Sequence, residues 1–426
     1  MDADSAPSAT RRPISPASLD PDAYRVVERL AREGFVTYVV GGCVRDLLLG
    51  IRPKDFDIAT AASPRQVKRV FRNSRIIGRR FRLVHVHFGP HVVEVATFRA
   101  PPEREVGVDP LLDRDNVFGS ETDDAFRRDF TINALFYDPV NDRLIDHVGG
   151  LADLDARVLR TIGDAETRIR EDPVRILRAA KFAGRLGFQL DPDLRRASAR
   201  HVEDLRKSAP PRVLEEWFRL LANRGSSQSF HLLDELGVLS TLLPEILPLP
   251  AAFFAALESL EELTGGSRDG ADQALLLSVL FAPAVLPGLT ALEGGDPEAF
   301  VRERIHGPAV RLTVSRRDQA LLRILLAAQL RFLEPPETRG AARFARRDLF
   351  PLALELRRLL GPLQAVEGDP LPLWEELERS ERAHREGPRS GAGRGGGEGP
   401  GEPRRKRRRR RGGRRRRRGS AAPGGA

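Results

Sequence analysis

The stretch that decides the fold runs from Val39 to Thr60 and reads VVGGCVRDLLLGIRPKDFDIAT. Its two valines lead into the glycine pair Gly41-Gly42, and an Arg-Asp step follows. Paired glycines let the backbone turn sharply and present amide groups at the start of a helix, where a phosphate is favoured. Arg45 adds a charged fork that suits phosphate oxygens. No Gly-Lys-Ser/Thr follows, so the turn is not a P-loop, and it is predicted to bind phosphate in another way.

Two aspartates, Asp55 and Asp57, lie near the end of the same stretch on a strand predicted over residues 55–59. Side chains at i and i+2 on a strand share a face, and carboxylates held this close repel unless a cation lies between them. Phe56 and Ile58 give the opposite face an apolar character, unlike a solvated strand end. Mg²⁺ prefers oxygen ligands, and two such ions can clamp the attacking and leaving oxygens of a nucleotidyl transfer. A calcium loop is excluded because no third acid and glycine follow at its spacing.

A third carboxylate is expected from a neighbouring strand, and Glu94 in HVVEVATF is the candidate. An acid in such an apolar strand is otherwise an exposed edge residue. His85, His87 and His91 surround the same predicted hairpin and resemble zinc ligands, but no cysteine lies nearby and spacing alone does not show that ligands converge. The predicted metal site is therefore a magnesium site made of the two aspartates and Glu94.

Charge is distributed unevenly along the 426 residues, whose net charge is +10. Residues 386–426 contain 15 basic and 3 acidic residues, whereas the first 385 residues have a net charge of −2. Between Arg404 and Arg418, 13 of 15 residues are Arg or Lys. Such a run repels itself, so it is predicted to be disordered and to bind a polyanion such as RNA. Codon bias is the alternative explanation, but it would spread arginine evenly along the chain.

The rest of the composition predicts a cytoplasmic protein without a membrane segment. Cys43 is the single cysteine, so an intramolecular disulfide is excluded and a reducing compartment is favoured. The N-terminus is polar and broken by proline, unlike a signal peptide. The most apolar segment, ALLLSVLFAPAVLPGL, is predicted to be a buried helix because it is too short and too interrupted by proline to span a bilayer.

Hydrophobic periodicity predicts an α+β protein, with a mixed β-sheet head followed by an all-α neck and body. The predicted divisions are a disordered lead (1–20), the head (21–150), the neck (151–225), the body (226–385) and a disordered Arg-rich tail (386–426). The predicted head elements are helices at 21–33, 44–49 and 64–71, strands at 36–40 and 55–59, and a hairpin of strands at 82–88 and 91–98. A polar segment at 100–126 is predicted to be a mobile functional loop, and amphipathic helices are predicted at 172–186, 211–221 and 229–236.

Four motifs together resemble the class II nucleotidyltransferases, the family of bacterial poly(A) polymerases and tRNA CCA-adding enzymes. They are GGCVRDLLLG, DFD, RRDFTINAL and REDPVRILRAAKFAGRLGF, and the resemblance runs from about Tyr24 to Leu221. The segment GRRFRLVHVHFGPHVVEVATFR, from Gly78 to Arg99, and the Arg-rich tail resemble the poly(A) polymerase branch. The resemblance implies a nucleotidyltransferase-type head, Mg²⁺ as cofactor in a two-metal site and ATP as substrate.

The resemblance also implies a role for individual residues. It makes Asp55, Asp57 and Asp129 the catalytic acids, which leaves open whether Glu94 or Asp129 is the third one. The nucleotide is contacted by the glycine turn and by two further motifs, through Gly41, Gly42, Arg45, Arg127, Arg128, Asn133, Asp172, Arg175 and Arg178. Of these, Asp172, Arg175 and Arg178 are expected to face one side of a helix and read the base, because adenine needs both a donor and an acceptor. The family often has Arg where Lys181 stands, and Lys lacks the planar fork for bidentate contacts.

Three functions remain open at this point. The first is template-independent addition of AMP to RNA 3′ ends, which bind through the helical body and the Arg-rich tail, by a monomeric enzyme. The second is a CCA-adding tRNA nucleotidyltransferase with the same head. The third is an inactive RNA-binding protein that kept the fold, against which the intact acids argue, since buried like charges are costly without a metal. The tail favours the first, because a sequence-blind basic arm suits arbitrary RNA ends.

Overall fold

An eight-stranded mixed sheet forms the centre of the N-terminal part of the chain. The computed structural model describes residues 8–10, 14–78, 82–100, 117–265, 272–364 and 367–386. In chain order the strands of the sheet are β1 (Ser8–Thr10), β2 (Thr37–Val40), β3 (Asp57–Thr60), β4 (Ser74–Ile77), β5 (Leu83–Phe88), β6 (His91–Thr97), β7 (Leu135–Asp138) and β8 (Arg143–Asp146). Across the sheet their order is β1-β8-β7-β2-β3-β6-β5-β4.

The centre of this sheet is where the opening stretch folds. All four residues of β2 are buried, because the strand is covered on both faces. One face packs against the main apolar core, which contains Val39 and Ile58, and the other against a smaller cluster that contains Tyr38 and Phe136. Strand β3 is antiparallel to β2 and parallel to β6, whereas the other neighbouring strands are antiparallel.

Helices cover the sheet and then make up nearly all of the remaining described chain. Those within the sheet region are α1 (Pro21–Arg32), α2 (Gly42–Leu48), α3 (Pro64–Val70), α4 (Glu121–Phe126) and α5 (Gly150–Ala156). Those that follow are α6 (Ala165–Glu171), α7 (Arg175–Leu186), α8 (Pro192–Arg200), α9 (Pro210–Leu221), α10 (Ser226–Glu235), α11 (Val238–Leu242), α12 (Ala251–Thr264), α13 (Gln273–Thr290), α14 (Pro297–Arg311), α15 (Arg316–Ala328), α16 (Ala341–Ala345), α17 (Phe350–Leu359) and α18 (Leu371–Glu386). A two-residue parallel pair, β9 (Val158–Leu159) and β10 (Gln189–Leu190), interrupts them.

The predicted fold class is confirmed, with a mixed-sheet head followed by a mostly helical body. The chain divides into two units, Met1–Glu381 and Arg382–Ala426. Within the first unit one apolar core joins residues of the head, such as Val27, to residues of the helical part, such as Phe332. The boundaries predicted between head, neck and body therefore stay predictions. Half of the predicted lead, residues 1–7 and 11–13, and the predicted tail from residue 387 lie outside the described residues. In the other half, Ser8–Thr10 forms β1, which pairs with β8, and Ile14 and Leu19 pack in the main core.

Local sequence signals located several elements correctly. Helix α3 begins with the predicted cap, where the side-chain oxygen of Gln66 accepts from the Ser63 backbone N–H at 2.8 Å. Helix α1 and the β5–β6 hairpin also lie where periodicity predicts them. The segment 100–126, predicted to be without structure, instead ends in helix α4, whose first turn is closed by a Ser120–Asp123 capping box. Strands β4, β7 and β8 were not predicted.

One described helix, α13, is long and apolar enough to cross a membrane by length and composition, but 67% of its apolar window is buried inside the protein. The prediction of a buried helix is confirmed, whereas the argument that the segment is too short and interrupted was wrong. Pro283 and Pro287 both lie within the continuous 18-residue helix. A proline removes one backbone hydrogen bond, and twelve buried residues of this helix offset that loss by packing.

Candidate active site

The carboxylates predicted to bind metal come from neighbouring strands in register. Asp57, the first residue of β3, is the direct partner of Glu94 on β6, so the predicted third carboxylate lies beside the second. Ile58 is buried and Phe56 packs against the main core, as the pattern predicts. His85 on β5 is the cross-strand partner of Glu94, with 3.1 Å between its Nε2 and a Glu94 carboxylate oxygen.

Asp55 lies before the strand instead of on it, which corrects the predicted strand 55–59. Strand β2 ends at Val40, the partner of Asp57, because the chain turns away at Gly41 with φ +82° and ψ −137°. The residues before Asp57 consequently have no partner on that side, and the strand begins there. The charge of Asp55 nevertheless acts on Asp57, so the two acids remain close.

The electrostatics of Asp57 fit a cation-binding role. Its side chain keeps an accessible side although it lies deep among protein atoms. Burial raises the pKa of Asp57, the charges of Glu94 and Asp55 raise it further, and Arg128 opposes them. Two carboxylates that raise the pKa of Asp57 lie near it, and carboxylate oxygens are the ligands that Mg²⁺ prefers. The type of ligand therefore fits the metal that the sequence predicts, although the ligand atoms of the three acids do not all lie within 4.8 Å of one another.

The histidines do not support the alternative of a zinc site. His85 and His87 lie with ring centroids 6.4 Å apart, but His91 lies against helix α1, 3.1 Å from a carboxylate oxygen of Asp22. In the described ranges, one group of three potential metal ligands has all its ligand atoms within 4.8 Å of one another. It consists of Asp20, Asp22 and His91. One carboxylate oxygen of Asp20 already caps α1 by accepting from the backbone N–H groups of Asp22 and Ala23.

The glycine turn is required by what lies against it. A Cβ atom added at Gly41 would stand 2.9 Å from an Nη atom of Arg128, and the positive φ also favours glycine. Gly42 opens α2, and a Cβ there would stand 3.4 Å from the guanidinium of Arg45. The turn thus lets two arginines approach the backbone beside β3.

Arg45, predicted to bind phosphate, faces inward in this structure. Only 2% of its side chain is exposed, and its Nε and one Nη donate to the carboxylate of Asp46 at 2.9 and 2.6 Å. Its other Nη donates to the side-chain oxygen of Asn133, and the guanidinium lies 5.2 Å from the ring of Phe182. Arg45 here holds the turn in place, and a direct phosphate contact stays a prediction.

Asp129 is the next member of the same buried network. It accepts hydrogen bonds from the side chains of Arg178 and Asn133 and from the Phe130 backbone N–H. Burial alone would raise the pKa of Asp129, but the charge of Arg178 and these hydrogen bonds hold it below its usual value. With both oxygens occupied, Asp129 joins α7 to the head, whereas Glu94 is the acid beside Asp57. This arrangement favours Glu94 as the third acid at the metal site.

The network joins the head to helix α7 at two places, through Arg178 and through Arg185. Asp46 accepts from Arg185 at 2.8 Å, and Arg185 lies two turns beyond Arg178 on α7. A continuous series of charged and amide side chains therefore docks α7 on the glycine turn, in the order Arg178, Asp129, Asn133, Arg45, Asp46 and Arg185. The sequence showed the Arg-Asp step but gave no sign that Asp46 and Arg185 are partners.

The three residues predicted to read the base do not share a helix face. Asp172 lies before α7, which begins at Arg175, because Pro173 follows and disfavours helical backbone at the residue before it. Asp172 accepts from Arg212 at 2.7 Å, Arg175 donates to the Arg168 carbonyl oxygen and Arg178 binds Asp129. The charge of Asp172 still acts on both arginines, so the three remain neighbours, and their role in reading the base stays a prediction.

Lys181, which stands where the family often has arginine, forms a buried ion pair. Its Nζ donates to a carboxylate oxygen of Glu216 on α9 at 2.7 Å and lies 4.9 Å from the ring of Phe182. Burial lowers the pKa of Lys181 to about 8, although Glu216 opposes the shift. The single contact agrees with the loss of a planar fork, and Lys181 ties α7 to α9.

Replacing Lys181 with Met is expected to change how stability depends on pH. Lysine has an ordinary pKa of 10.5 and the folded protein holds Lys181 at about 8, so the unfolded chain binds more protons between these values. The contribution of Lys181 to the free energy of unfolding should therefore rise from pH 8 to 10.5 as the cost of burying the charge disappears. The raised pKa values of Cys43, Tyr38 and Tyr137 act in the opposite direction in both chains. The measurement is therefore a difference: in urea denaturation, the free energy of unfolding of the native chain minus that of Lys181→Met should increase across this range. Exposed Lys207→Met is the matched control, and equal slopes for both variants would contradict the assignment.

Comparison with known proteins agrees with this geometry, since a mixed sheet that carries paired acids beside a glycine turn is typical of nucleotidyltransferases. Residues 37–160 match the model of the "Poly A polymerase head domain", and residues 187–249 match the "Probable RNA and SrmB- binding site of polymerase A". These two stretches, and the relatives below, make the chain similar to the class II nucleotidyltransferases, the family that poly(A) polymerases and CCA-adding enzymes share.

Individual relatives come from both branches of this family. Poly(A) polymerase I of Escherichia coli O157:H7 is 46% identical over 241 residues, which are 55% of this chain and 52% of the relative. A CCA-adding enzyme of Lactobacillus delbrueckii subsp. bulgaricus is 38% identical over 260 residues, 61% of this chain and 63% of the relative. The chain spans about half the length of the first of these. The crystal structure of the Bacillus stearothermophilus CCA-adding enzyme in complex with CTP matches with a TM-score of 0.64 and 26% identity, over 86% of this chain and 83% of that one.

Proposed function

We propose that this chain adds AMP from ATP to RNA 3′ ends without a template and releases pyrophosphate. The observation that carries the proposal is the in-register pair of Asp57 and Glu94, with Asp55 near Asp57. The chain is 46% identical to a poly(A) polymerase I over 241 residues and 38% identical to a CCA-adding enzyme over 260 residues, which supports the choice of AMP. The proposal includes Mg²⁺ as cofactor and action as a cytoplasmic monomer.

The proposed reaction is an in-line displacement at the α-phosphorus of ATP. The RNA 3′ oxygen forms the new bond to the α-phosphorus as its proton passes to water. The bond from the α-phosphorus to the oxygen that bridges the α- and β-phosphates breaks, and that oxygen leaves with pyrophosphate. Asp55, Asp57 and Glu94 would hold Mg²⁺, which supplies positive charge to the attacking and leaving oxygens. Arg128 lies close enough to Asp57 to lower its pKa, so its charge is available to the phosphates on that side.

The docked neck helix would place the base. Arg178 and Arg175 lie at the start of α7, and the buried network fixes this helix relative to the glycine turn. The distance between the base and phosphate subsites is thus set by side chains that do not react. Such positioning is worth several orders of magnitude in rate when a nucleophile and a phosphate must be aligned.

CCA addition to tRNA is the second candidate, because a CCA-adding enzyme in complex with CTP matches over 86% of this chain. The two are separated by offering ATP and CTP singly, with an unstructured RNA and with tRNA that lacks its CCA end. We expect extension of both RNAs with ATP and little with CTP. Incorporation of CMP into tRNA alone would support the second candidate, and no incorporation would support an RNA-binding protein without activity.

Removing the Arg-rich tail is expected to weaken RNA binding without changing the affinity for ATP. The tail residues Arg404–Arg418 lie outside the described residues, so the argument rests on their charge. Binding through arginine–phosphate contacts releases counterions, and log affinity then falls with log salt by about 0.7 per phosphate neutralised on a single strand. A chain truncated after Glu386 should show a shallower slope and shorter products per binding event. Both chains are measured on one unstructured RNA, and equal slopes would show that the tail does not contribute to RNA binding.

A further inference from the structure

Asp124 is a buried acid whose two oxygens are both committed to arginines of the RRDFTIN motif. It lies on α4 with 7% of its side chain exposed. One oxygen accepts from Nε and an Nη of Arg128 at 3.1 and 2.8 Å. The other lies 3.3 Å from Nε of Arg127 and 3.4 Å from the Arg99 backbone nitrogen. The sequence gave no indication of this residue, which lies in a segment predicted to be a loop.

Arg128 is held between the glycine turn and the metal-site acids. Its remaining Nη donates to the Asn133 carbonyl oxygen at 3.2 Å and occupies the space that a Cβ at Gly41 would need. The guanidinium also lies 5.3 Å from the ring of Phe136. Gly41 follows Val40, the cross-strand partner of Asp57, so the contact with Gly41 places Arg128 beside the end of β3 at which Asp57 lies.

Two sets of carboxylates compete for the guanidinium of Arg128, namely Asp124 and the metal-site acids. An arginine beside Asp57 and Glu94 is drawn toward them, because two like-charged acids attract a guanidinium strongly. Such a contact would occupy the oxygens that are to bind metal. In the described part of the chain the ion pair that Arg128 makes is with Asp124, one oxygen of which accepts from both Nε and an Nη.

We propose that Asp124 is a positioning residue that holds Arg128 away from the metal-site acids and directs it to the triphosphate of the incoming nucleotide. This inference rests on the proposed function, in which Arg128 contacts the triphosphate. Asp124 touches no reacting atom and acts through Arg128. Its removal frees Arg128 to pair with Asp57 and Glu94, which weakens the triphosphate subsite and leaves the adenosine subsite intact.

Asp124→Asn is the test, because it keeps the size of the side chain and removes its charge. We expect the KM for ATP, and the inhibition constant of inorganic tripolyphosphate, to rise roughly tenfold or more, the scale of a lost charged hydrogen bond. Inhibition by adenosine should not change. Asp124→Glu, which restores the charge, should recover part of the loss. The matched control is Asp123→Asn on the same helix, whose exposed carboxylate only caps Ser120.

Arg128→Ala separates the failure of this inference from that of the proposed function. If Arg128→Ala leaves inhibition by tripolyphosphate unchanged, Arg128 does not contact the triphosphate and this inference is overturned, whereas the proposed function is overturned only if the native chain adds no AMP to RNA. If Arg128→Ala weakens inhibition but Asp124→Asn behaves like Asp123→Asn, the positioning role alone is overturned. Should Asp124→Asn fold poorly, Asp124→Glu carries the test. If Asp124 acts through Arg128, adding Asp124→Glu to the Arg128→Ala variant should not change inhibition by tripolyphosphate further. If Asp124→Glu changes this inhibition equally in the native chain and in the Arg128→Ala variant, the positioning role is overturned.

Discussion

Replacing Asp57 with Asn should reduce the rate of AMP transfer by about a thousandfold or more, since each factor of ten corresponds to about 1.4 kcal/mol of transition-state stabilisation. Asp57 is in register with Glu94 and close to Asp55, so its loss removes the central ligand of the proposed metal site. The measurement is the rate of incorporation of labelled AMP into RNA at saturating ATP and Mg²⁺.

The same substitution should not lower stability, and this separates an active-site role from a structural one. Because burial and neighbouring acids raise the pKa of Asp57, its ionised form is unfavourable in the folded protein. The cost is present at neutral pH and disappears as pH falls through the raised pKa. Asn removes it, so the free energy of unfolding at neutral pH should be equal or higher. Asp193→Asn, at an exposed position on α8, is the control, and a variant that loses activity only in proportion to its stability would contradict the assignment.

Replacing Asp129 with Asn should have a large effect on stability. Asp129 neutralises Arg178, and removing one partner of a buried pair costs about 3–5 kcal/mol. Because 29% of Arg178 remains exposed and Glu216 lies 3.6 Å from it, we expect a loss at the lower end of that range. The lowered pKa of Asp129 means that this contribution is present at neutral pH and is lost as pH falls through the folded pKa.

This stability effect tests which role Asp129 has. Urea denaturation of Asp129→Asn, of Arg178→Met and of the double variant gives their coupling energy. If Asp129 joins the head to α7, the coupling is large and the double variant is more stable than the sum of the single effects predicts. If instead Asp129→Asn keeps the stability of the native chain, its coupling energy with Arg178→Met is near zero and AMP transfer is lost, then Asp129 is a catalytic acid, as the resemblance implies.

The sequence could indicate three neighbouring acids because their signal is local. Asp57 and Glu94 are charges in apolar strands, Asp55 lies two residues before Asp57, and the glycine turn precedes a helix as the pattern indicates. The predicted start of β3 was wrong because it depends on where β2 ends, which is a property of the pairing. The prediction that Asp172 and the two arginines share one face of a helix was wrong, because the helix begins only at Arg175, after Pro173.

The partners that hold the site could not be predicted from local patterns. Asp46 and Arg185 are 139 positions apart, and Lys181 and Glu216 are 35 apart. Each of these residues resembles an ordinary charge on an amphipathic helix, where most charges are solvated. Only packing of α7 against α2 and α9 brings them together, so the network that docks the neck helix had no signature in the sequence.

The central claim is that this site adds AMP to RNA ends without a template. It is tested most directly by incubating the full chain with Mg²⁺, equal amounts of all four nucleoside triphosphates and a mixture of unstructured RNA and tRNA lacking its CCA end, and then sequencing the 3′ ends. The account predicts runs of adenosine on both RNAs, and none in the Asp57→Asn variant. Addition of the single sequence CCA to tRNA, with the unstructured RNA unchanged, would contradict it.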